Sequence, residues 1–431
     1  MGPLALMAKE AGLEVCGSDL HEGAVSGELR RARIPFVTDD DEEYLKERGA
    51  SRCASKKSVA QDGGYLKKWI NEVDWFVHTS ALPSDHPELK LAQEAGVRIS
   101  KRDELIAYLV EKLGLKMVAV AGTHGKTTTT SMITWAALQL GMPVSYLVGT
   151  TLPFAESGAY DTGSEFLIYE ADEYDRNFLR FSPWLAVIPV ATYDHPDIYR
   201  TVEEYQAAFN EFRGQSEEVI EGAEISKSGL DLSKSEFKLA GAARRLDAEL
   251  ACRAILRMAE ETDFQGANGA LSREEVVEIL NEFPGAGRRF ERVADGIYSD
   301  YGHHPEEIAA TVEIAKEEAK LKGLKGVVLV YEPHQNTRQH EVRKGYRKAF
   351  SGVTHLYWVP TYLTRENPEL DIITPEDFIA GLEPMAKAVA EPAEANDELA
   401  EALQNWRKRG YLVLLMTAGP ADAWFRGIWG K

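Results

Sequence analysis

The stretch that most constrains this chain is Met117 to Ser131, MVAVAGTHGKTTTTS. An apolar run, Met117-Val118-Ala119-Val120-Ala121, meets a glycine-bearing loop, and Lys126 with four consecutive threonines opens a segment of helical spacing. Strand, loop and helix in this order make a phosphate cradle. Gly122 and Gly125 let backbone N–H groups turn toward anionic oxygens, and Lys126 supplies a point charge for the outer phosphates. The Thr127 hydroxyl suits Mg²⁺, and the helix start adds its positive dipole end. The spacing departs from GxxxxGK[ST], because Val120 stands where that pattern has its first glycine. A threonine-rich strand-to-helix turn without ligand is the plainer reading of the same residues. On the cradle reading, Lys126 has ligand phosphate rather than a buried carboxylate as its partner.

Composition narrows the setting. A chain of 431 residues is long for one domain and predicts two or three, each with its own core. A net charge of −20 with no basic stripe argues against a nucleic-acid backbone as partner. Cys16, Cys53 and Cys252 are scattered without a CxxC pair and read as reduced thiols. No apolar run approaches the roughly 20 residues of a membrane span. The opening MGPLALMAKEAG lacks a basic flank. The expectation is a cytoplasmic protein that is not inserted in a membrane.

Three regions separate by pattern. Residues 1 to about 113 alternate strand candidates, Leu13 to Gly17, Trp75 to His78 and Val97 to Ile99, with helical segments, as in a small parallel α/β domain. Residues 114–284 hold the cradle strand and two further apolar runs, Phe166 to Tyr169 and Leu185 to Ile188, which suit a doubly covered parallel sheet. Residues 213–240 are polar and punctuated by glycine and serine, predicting a loop or insertion before a helix at about 244–260. The turn Pro284-Gly285-Ala286-Gly287 introduces residues 285–431, with strands at Gly326 to Tyr331, His355 to Val359 and Tyr411 to Met416. A helix opened by Pro305 carries Ile308, Val312 and Ala315 on one face. The acidic run Asp39 to Glu43 reads as a solvated loop.

Ligands of open parallel sheets gather at the carboxyl ends of strands. Glu170-Ala171-Asp172-Glu173-Tyr174-Asp175 follows one such strand, and a carboxylate there is placed to hold Mg²⁺ opposite Thr127. Asp194-His195 follows the next strand and either adds a ligand or orients a carboxylate. In the third region Arg288-Arg289-Phe290, Ser299 to Pro305 and Glu332 to Arg338 lie at turns or strand ends. Arginine suits phosphate or carboxylate because its planar donors bind in pairs. Asp300 is able to accept from ribose hydroxyls, and His304-Pro305 also reads as an ordinary helix start.

Taken together, GTHGKTTTT, EADEYDRNFL, DHPDIY, GRRF, DYGHHP and EPHQNTR, in this order and at these intervals, resemble the Mur ligase family over nearly the whole chain. The resemblance implies an α/β protein of three domains. These are a Rossmann-like UDP-sugar-binding domain over 1–113, a central P-loop ATPase-type parallel sheet over 114–284, and a Rossmann-like amino-acid-binding domain over 285–431. It implies ATP- and Mg²⁺-dependent joining of L-alanine to the lactyl carboxylate of UDP-N-acetylmuramate through an acyl phosphate, for peptidoglycan precursors. Lys126, Glu170 and His195 would be catalytic, and Thr127, Glu170 and His195 would stand at the metal. Gly122, Thr123, His124, Gly125, Lys126, Thr127, Thr128, Arg288 and Asp300 would meet ATP. Ser18, Asp19 and Ser80 would meet the sugar nucleotide, while His303, His304, His334 and Arg338 would stand near the amino acid or the phosphates. Domain closure would shield the acyl phosphate from water.

The chain also departs from the family pattern. It opens at Met1-Gly2-Pro3-Leu4-Ala5, inside the glycine-rich loop that follows the family's first strand, so a shortened first domain is expected. Ala243-Arg244 and Asp247 replace the residues expected near adenine, and Gln335 and Asn336 replace a customary arginine and tyrosine. The late glycine-rich turn is Thr417-Ala418-Gly419-Pro420. A tripeptide-recycling ligase of the same family is the near alternative, with DRNFL and DHPDIY favouring the alanine-adding branch. A nucleotide-binding homologue that ligates nothing is the reading from a different class.

Overall fold

The computed structural model describes residues 1–19, 22–23, 25–38, 70, 72–80, 82–195, 198–228, 236–364 and 366–429. Asp39 to Glu43, Cys53, Pro196 and Asp197 of the DHPDIY motif, and 229–235 of the expected insertion lie outside the described residues. Two compact units form, one of Met1–Thr151, Ala155–Ala223 and Arg253–Leu271, the other of Leu152–Phe154, Glu224–Cys252 and Ser272–Lys431.

The first unit contains the short parallel pairs β1 (Gly17–Asp19) with β2 (Phe36–Thr38), and β3 (Trp75–His78) with β4 (Arg98–Lys101). Its main sheet has six strands: β5 (Lys116–Val120), β6 (Ser145–Leu147), β7 (Gly158–Ala159), β8 (Phe166–Glu170), β9 (Leu185–Ile188) and β10 (Glu218–Glu221). They lie in the order β10-β9-β5-β8-β6-β7, parallel except between β6 and β7. The apolar runs of β5, β8 and β9 are buried along their length, as a sheet covered on both faces requires. Register places Val120 beside both Glu170 and Val187, so the cradle loop leaves the sheet between the ends of β8 and β9.

Strand β1 begins at Gly17 rather than Leu13, because its partner β2 offers pairing only opposite 17–19. Leu13 and Val15 pack against the core without strand pairing. The segment expected as a loop after Phe212 contains β10 and the helix Gly222–Lys227. The helix expected at about 244–260 runs Ala242–Glu261. The helix Gly2–Glu10 docks on β7. Tyr160 N donates to Glu10 Oε2 at 2.6 Å, Ser157 N donates to the buried Glu28 Oε2 at 2.8 Å, and a Cβ at Gly158 would run into Pro3 O.

In the second unit, after the small hairpin β11 (Gln265–Gly266) and β12 (Gly269–Ala270) of the first, come β13 (Glu291–Ala294), β14 (Ile297–Asp300), β15 (Val327–Glu332), β16 (His355–Trp358), β17 (Ala390–Pro392) and β18 (Leu412–Thr417). Their order is β13-β14-β18-β15-β16-β17, with only β13 antiparallel. The helix Pro305–Leu321 buries Ile308, Val312 and Ala315 in the core on one face, with Tyr331 and Trp358. The helices Asp397–Lys408 and Ala421–Ile428 cover the other through Leu399, Leu403 and Phe425. Because β18 returns between β14 and β15, the strand order reverses there. The ends of these three strands bring Asp300, Glu332 and Thr417 to one edge, where open α/β sheets bind ligands. No helix among the described residues is long and apolar enough to cross a membrane.

Candidate active site

The cradle is built from its own backbone. Gly122 has φ 151° and a Cβ there would lie 2.5 Å from Val190 O, so only glycine fits. Thr123 N donates to Val190 O at 2.7 Å and Thr123 Oγ1 to Thr192 O at 2.6 Å, and His124 bridges to Val190, which pins the loop to the segment after β9. Gly125, at φ 84°, caps the helix Lys126–Leu140. The threonines divide by role. Thr130 Oγ1 returns to Lys126 O at 2.8 Å and Thr129 is buried, which is the plain structural reading for those two. Thr128 is half-buried on the first turn, and Thr127 Oγ1 donates to Glu170 Oε1 at 2.7 Å.

Lys126 overturns one expectation. Its Nζ donates to Gly122 O at 2.6 Å and to Glu173 Oε1 at 3.0 Å, with Glu173 Oε2 at 2.8 Å. Its partner is therefore a buried carboxylate, since the Glu173 side chain is 1% exposed. Burial alone would push the Lys126 ammonium down and the Glu173 carboxyl up. Their pairing reverses both, holding Lys126 above and Glu173 below the ordinary value. His195, at φ 57°, places Nε2 3.5 Å from Glu173 Oε1 and 3.7 Å from Asp194 Oδ2. Burial opposes its charge, yet these carboxylates hold its pKa above the ordinary value. Sequence reasoning singled out Glu170 and passed over Glu173. The motif EADEYD shows an acidic run, and only the fold tells which carboxylate turns inward.

Thr127 and Glu170 form a pair of hard oxygen donors. Among the described residues no group of three or more His, Cys, Asp or Glu side chains is arranged to hold a metal. A two-donor site fits Mg²⁺, which keeps waters and takes phosphate oxygens in place of a protein cage. On the sugar-nucleotide side, Ser18 and Asp19 are exposed on β1. Ser80, after β3, meets Asn177 Nδ2 at 3.5 Å.

The second unit gathers its candidates at the edge where β14, β15 and β18 end. Arg338 Nη1 lies 2.8 Å from His303 Nε2, and the His303 and His334 ring centroids are 5.6 Å apart. Burial first, opposed by Glu307 and aided by Arg338, lowers the His303 pKa to about 4. The Tyr331 and Tyr346 hydroxyls donate to His303 O at 3.1 and 3.2 Å, and Gln339 Nε2 donates to His334 O at 2.9 Å. His304 caps the helix Pro305–Leu321, the plainer of its two readings. Asp300 is buried. Its Oδ2 accepts from Phe290 N at 2.7 Å and its Oδ1 from Gly302 N at 2.7 Å, so it also shapes the turns that carry Arg289 and His303.

Arg288 donates to Thr417 O and stacks over Tyr301 with its guanidinium carbon 4.8 Å from the ring centroid. Of the departures from the family pattern, Ala243 is exposed, Arg244 lies over Phe290 at 5.8 Å, and Asp247 is buried. Gln335 adopts φ 60°, and Asn336 is buried with its amide on Asp371 O and Ile373 N. A further carboxylate, given no role in the sequence beyond opening EPHQNTR, is Glu332. It is buried at the end of β15, accepts from Thr417 Oγ1 and Ala421 N, and is pushed up by burial.

Comparison with known proteins shows what this chain is similar to. Residues 1–112 match the Mur ligase family catalytic domain, and residues 120–221 the Mur ligase middle domain. A UDP-N-acetylmuramate--L-alanine ligase from Carboxydothermus hydrogenoformans is 30% identical over 97% of this chain and 91% of its own length. A protein of the same name from Campylobacter jejuni subsp. doylei is 30% identical over 86% and 85%. The crystal structure of a UDP-N-acetylmuramate-alanine ligase from Thermotoga maritima shares the fold, with a TM-score of 0.73, 22% identity, and coverage of 100% of this chain and 95% of that one. A murein peptide ligase from Psychrobacter arcticus gives 0.58 at 19% identity, covering 99% and 94%.

Proposed function

The chain belongs to the Mur ligase family of ATP-dependent amide-bond-forming ligases, and from that premise we propose that it joins L-alanine to the lactyl carboxylate of UDP-N-acetylmuramate. The names of the relatives that match most of its length support this substrate pair. The observation that carries the reading is the cradle itself, with Lys126 at the helix start and Thr127 bonded to Glu170 at the end of the neighbouring strand. Products are ADP, phosphate and the amide. The reaction belongs in the cytoplasm, where ATP and nucleotide sugars are made.

In this account the lactyl carboxylate attacks the γ-phosphorus of ATP, and ADP leaves. The amine of alanine then attacks the acyl carbon, and the former carboxyl oxygen departs with phosphate. Gly122 to Thr128 hold the phosphates through backbone N–H groups, the helix start and the Lys126 charge. Mg²⁺, held by Thr127 and Glu170 with His195 nearby, would supply charge neutralisation on the phosphate oxygens. His195 and Lys126 are kept in place by Glu173, which touches both. Ser18, Asp19 and Ser80 serve the sugar nucleotide from a domain over 1–113. The central domain over 114–284 holds ATP, and the domain over 285–431 brings His303, His304, His334 and Arg338 to the amino acid. Arg288 and Asp300 complete the nucleotide contacts.

The test is phosphate release with ATP, Mg²⁺ and UDP-N-acetylmuramate, comparing L-alanine, glycine, L-serine and the murein tripeptide, with product mass. Turnover that requires the nucleotide sugar and prefers L-alanine supports the reading. Turnover with tripeptide alone moves the chain to the recycling branch, and none with any acceptor contradicts a ligase.

A further inference from the structure

Glu173 holds the one lysine of the cradle, and we propose that it is a positioning residue acting as a latch, parking Lys126 until nucleotide phosphate takes over the ammonium. The inference rests on the ATP-dependent reading of this site. Three observations carry it. The carboxylate is buried, and the Glu173 backbone that carries it is held by Tyr199 Oη, which donates to Glu173 O at 2.6 Å. Tyr199 stacks edge-on against Tyr205 at 5.0 Å, and Tyr205 Oη lies 2.8 Å from Thr123 Oγ1. The loop that bears Glu173 and the cradle loop are thus braced through one tyrosine pair.

The second observation is where Nζ points. Nζ donates to Gly122 O and to Glu173, so the ammonium is turned onto the loop's own carbonyl and a carboxylate. An arriving phosphate competes with Glu173 for the ammonium. Glu170 and Asp172 also act on Lys126 from nearby, so sharing the charge among them and a polyanion is unfavourable. The third is His195, whose Nε2 lies 3.5 Å from Glu173 and gives that carboxylate a neighbour when Lys126 moves. A carboxylate with these contacts weakens nucleotide binding in the resting protein and sets the position from which Lys126 and His195 act.

The latch predicts changes of opposite sign in one variant. Glu173→Gln keeps the shape and removes the competing charge. Metal-free ATP binding, measured by calorimetry in EDTA, is expected to tighten by at least about fivefold, which corresponds to about 1 kcal/mol. Its kcat for phosphate release with Mg²⁺ is expected to fall at least about tenfold, since Lys126 and His195 lose their anchor. A residue that only supports the fold would weaken both. Glu173→Asp withdraws the charge by one methylene and should tighten metal-free binding by a smaller factor, and it keeps the test usable if the Gln variant folds poorly. Equal or weaker ATP binding in a variant that keeps the wild-type circular dichroism spectrum overturns the latch. Wild-type protein that binds no ATP even with Mg²⁺ overturns the ligase reading first, and that is seen before any variant is compared.

Discussion

Thr127 Oγ1 donates to Glu170 Oε1 across 2.7 Å, tying the first turn of the cradle helix to the end of the neighbouring strand. The pair exists because β5 and β8 run parallel with Val120 opposite Glu170. Thr127→Val keeps the shape and removes the hydroxyl. Phosphate release is expected to fall about 100-fold, the scale seen when one preorganised electrostatic contact is lost, with the Mg²⁺ requirement shifted upward. Thr127→Ser should stay within about tenfold of wild type. An unchanged Mg²⁺ titration in the valine variant would show that this hydroxyl is not at the metal.

Lys126 is a structural as well as a chemical residue. Lys126→Ala leaves the buried Glu173 with His195 Nε2, 3.5 Å away, as its remaining partner, which costs at most about 3–5 kcal/mol by the usual scale for breaking a buried pair. Lys126→Met with Glu173→Gln removes both charges and should recover most of that stability, while phosphate release stays absent. Urea unfolding midpoints of the single and double variants decide it. A single variant as stable as wild type would mean that the pair contributes nothing.

The His303 ring has a defined tautomer. Arg338 can only donate, so His303 Nε2 at 2.8 Å must accept, and the proton sits on Nδ1, which faces Tyr301 O at 3.3 Å. With its pKa lowered to about 4 from 6.5, the native state binds fewer protons than the unfolded chain between those values. The stability this contributes is present above the unfolded value and is lost as pH falls toward about 4. Nitrogen NMR should show a neutral, Nδ1-protonated ring near pH 6. Arg338→Gln should raise the pKa, and a ring in wild type that titrates near its ordinary value would refute the assignment.

Glu28 has the opposite sign. Burial above all, with Glu156 adding to it, raises its pKa although Ser157 N and Oγ donate to it. A carboxyl whose folded pKa is raised favours the native state below the unfolded value, and that advantage is lost as pH rises through the folded one. Glu28→Gln should therefore melt higher than wild type near pH 8, with the gap narrowing toward about pH 5. A gap independent of pH would mean that the carboxylate is not destabilising.

The sequence made the cradle legible because local chemistry fixes it: an apolar strand, glycines where backbone must approach Val190, and a helix that starts at Lys126. Strands β3 and β9 were readable to the residue, Leu185–Ile188 as a continuous apolar run and Trp75–His78 as one closed by a histidine. Strand β10 was not, since Glu218-Val219-Ile220-Glu221 is short, charged at both ends and paired only at the sheet edge. Glu173 was hidden for a different reason. Its partner Lys126 lies 47 positions away, and nothing in an acidic run distinguishes the carboxylate that turns inward from those that face solvent. Glu332 likewise looks like a strand-end acid until β18 brings Thr417 beside it.

The measurement that tests the central claim most directly follows one oxygen atom. UDP-N-acetylmuramate labelled with ¹⁸O in its lactyl carboxylate is incubated with ATP, Mg²⁺, L-alanine and the protein, and the released phosphate is analysed by mass. Attack of the carboxylate on the γ-phosphorus predicts phosphate carrying one ¹⁸O per amide formed. Amide formation with unlabelled phosphate, or label recovered in AMP, would contradict the acyl-phosphate ligase described here.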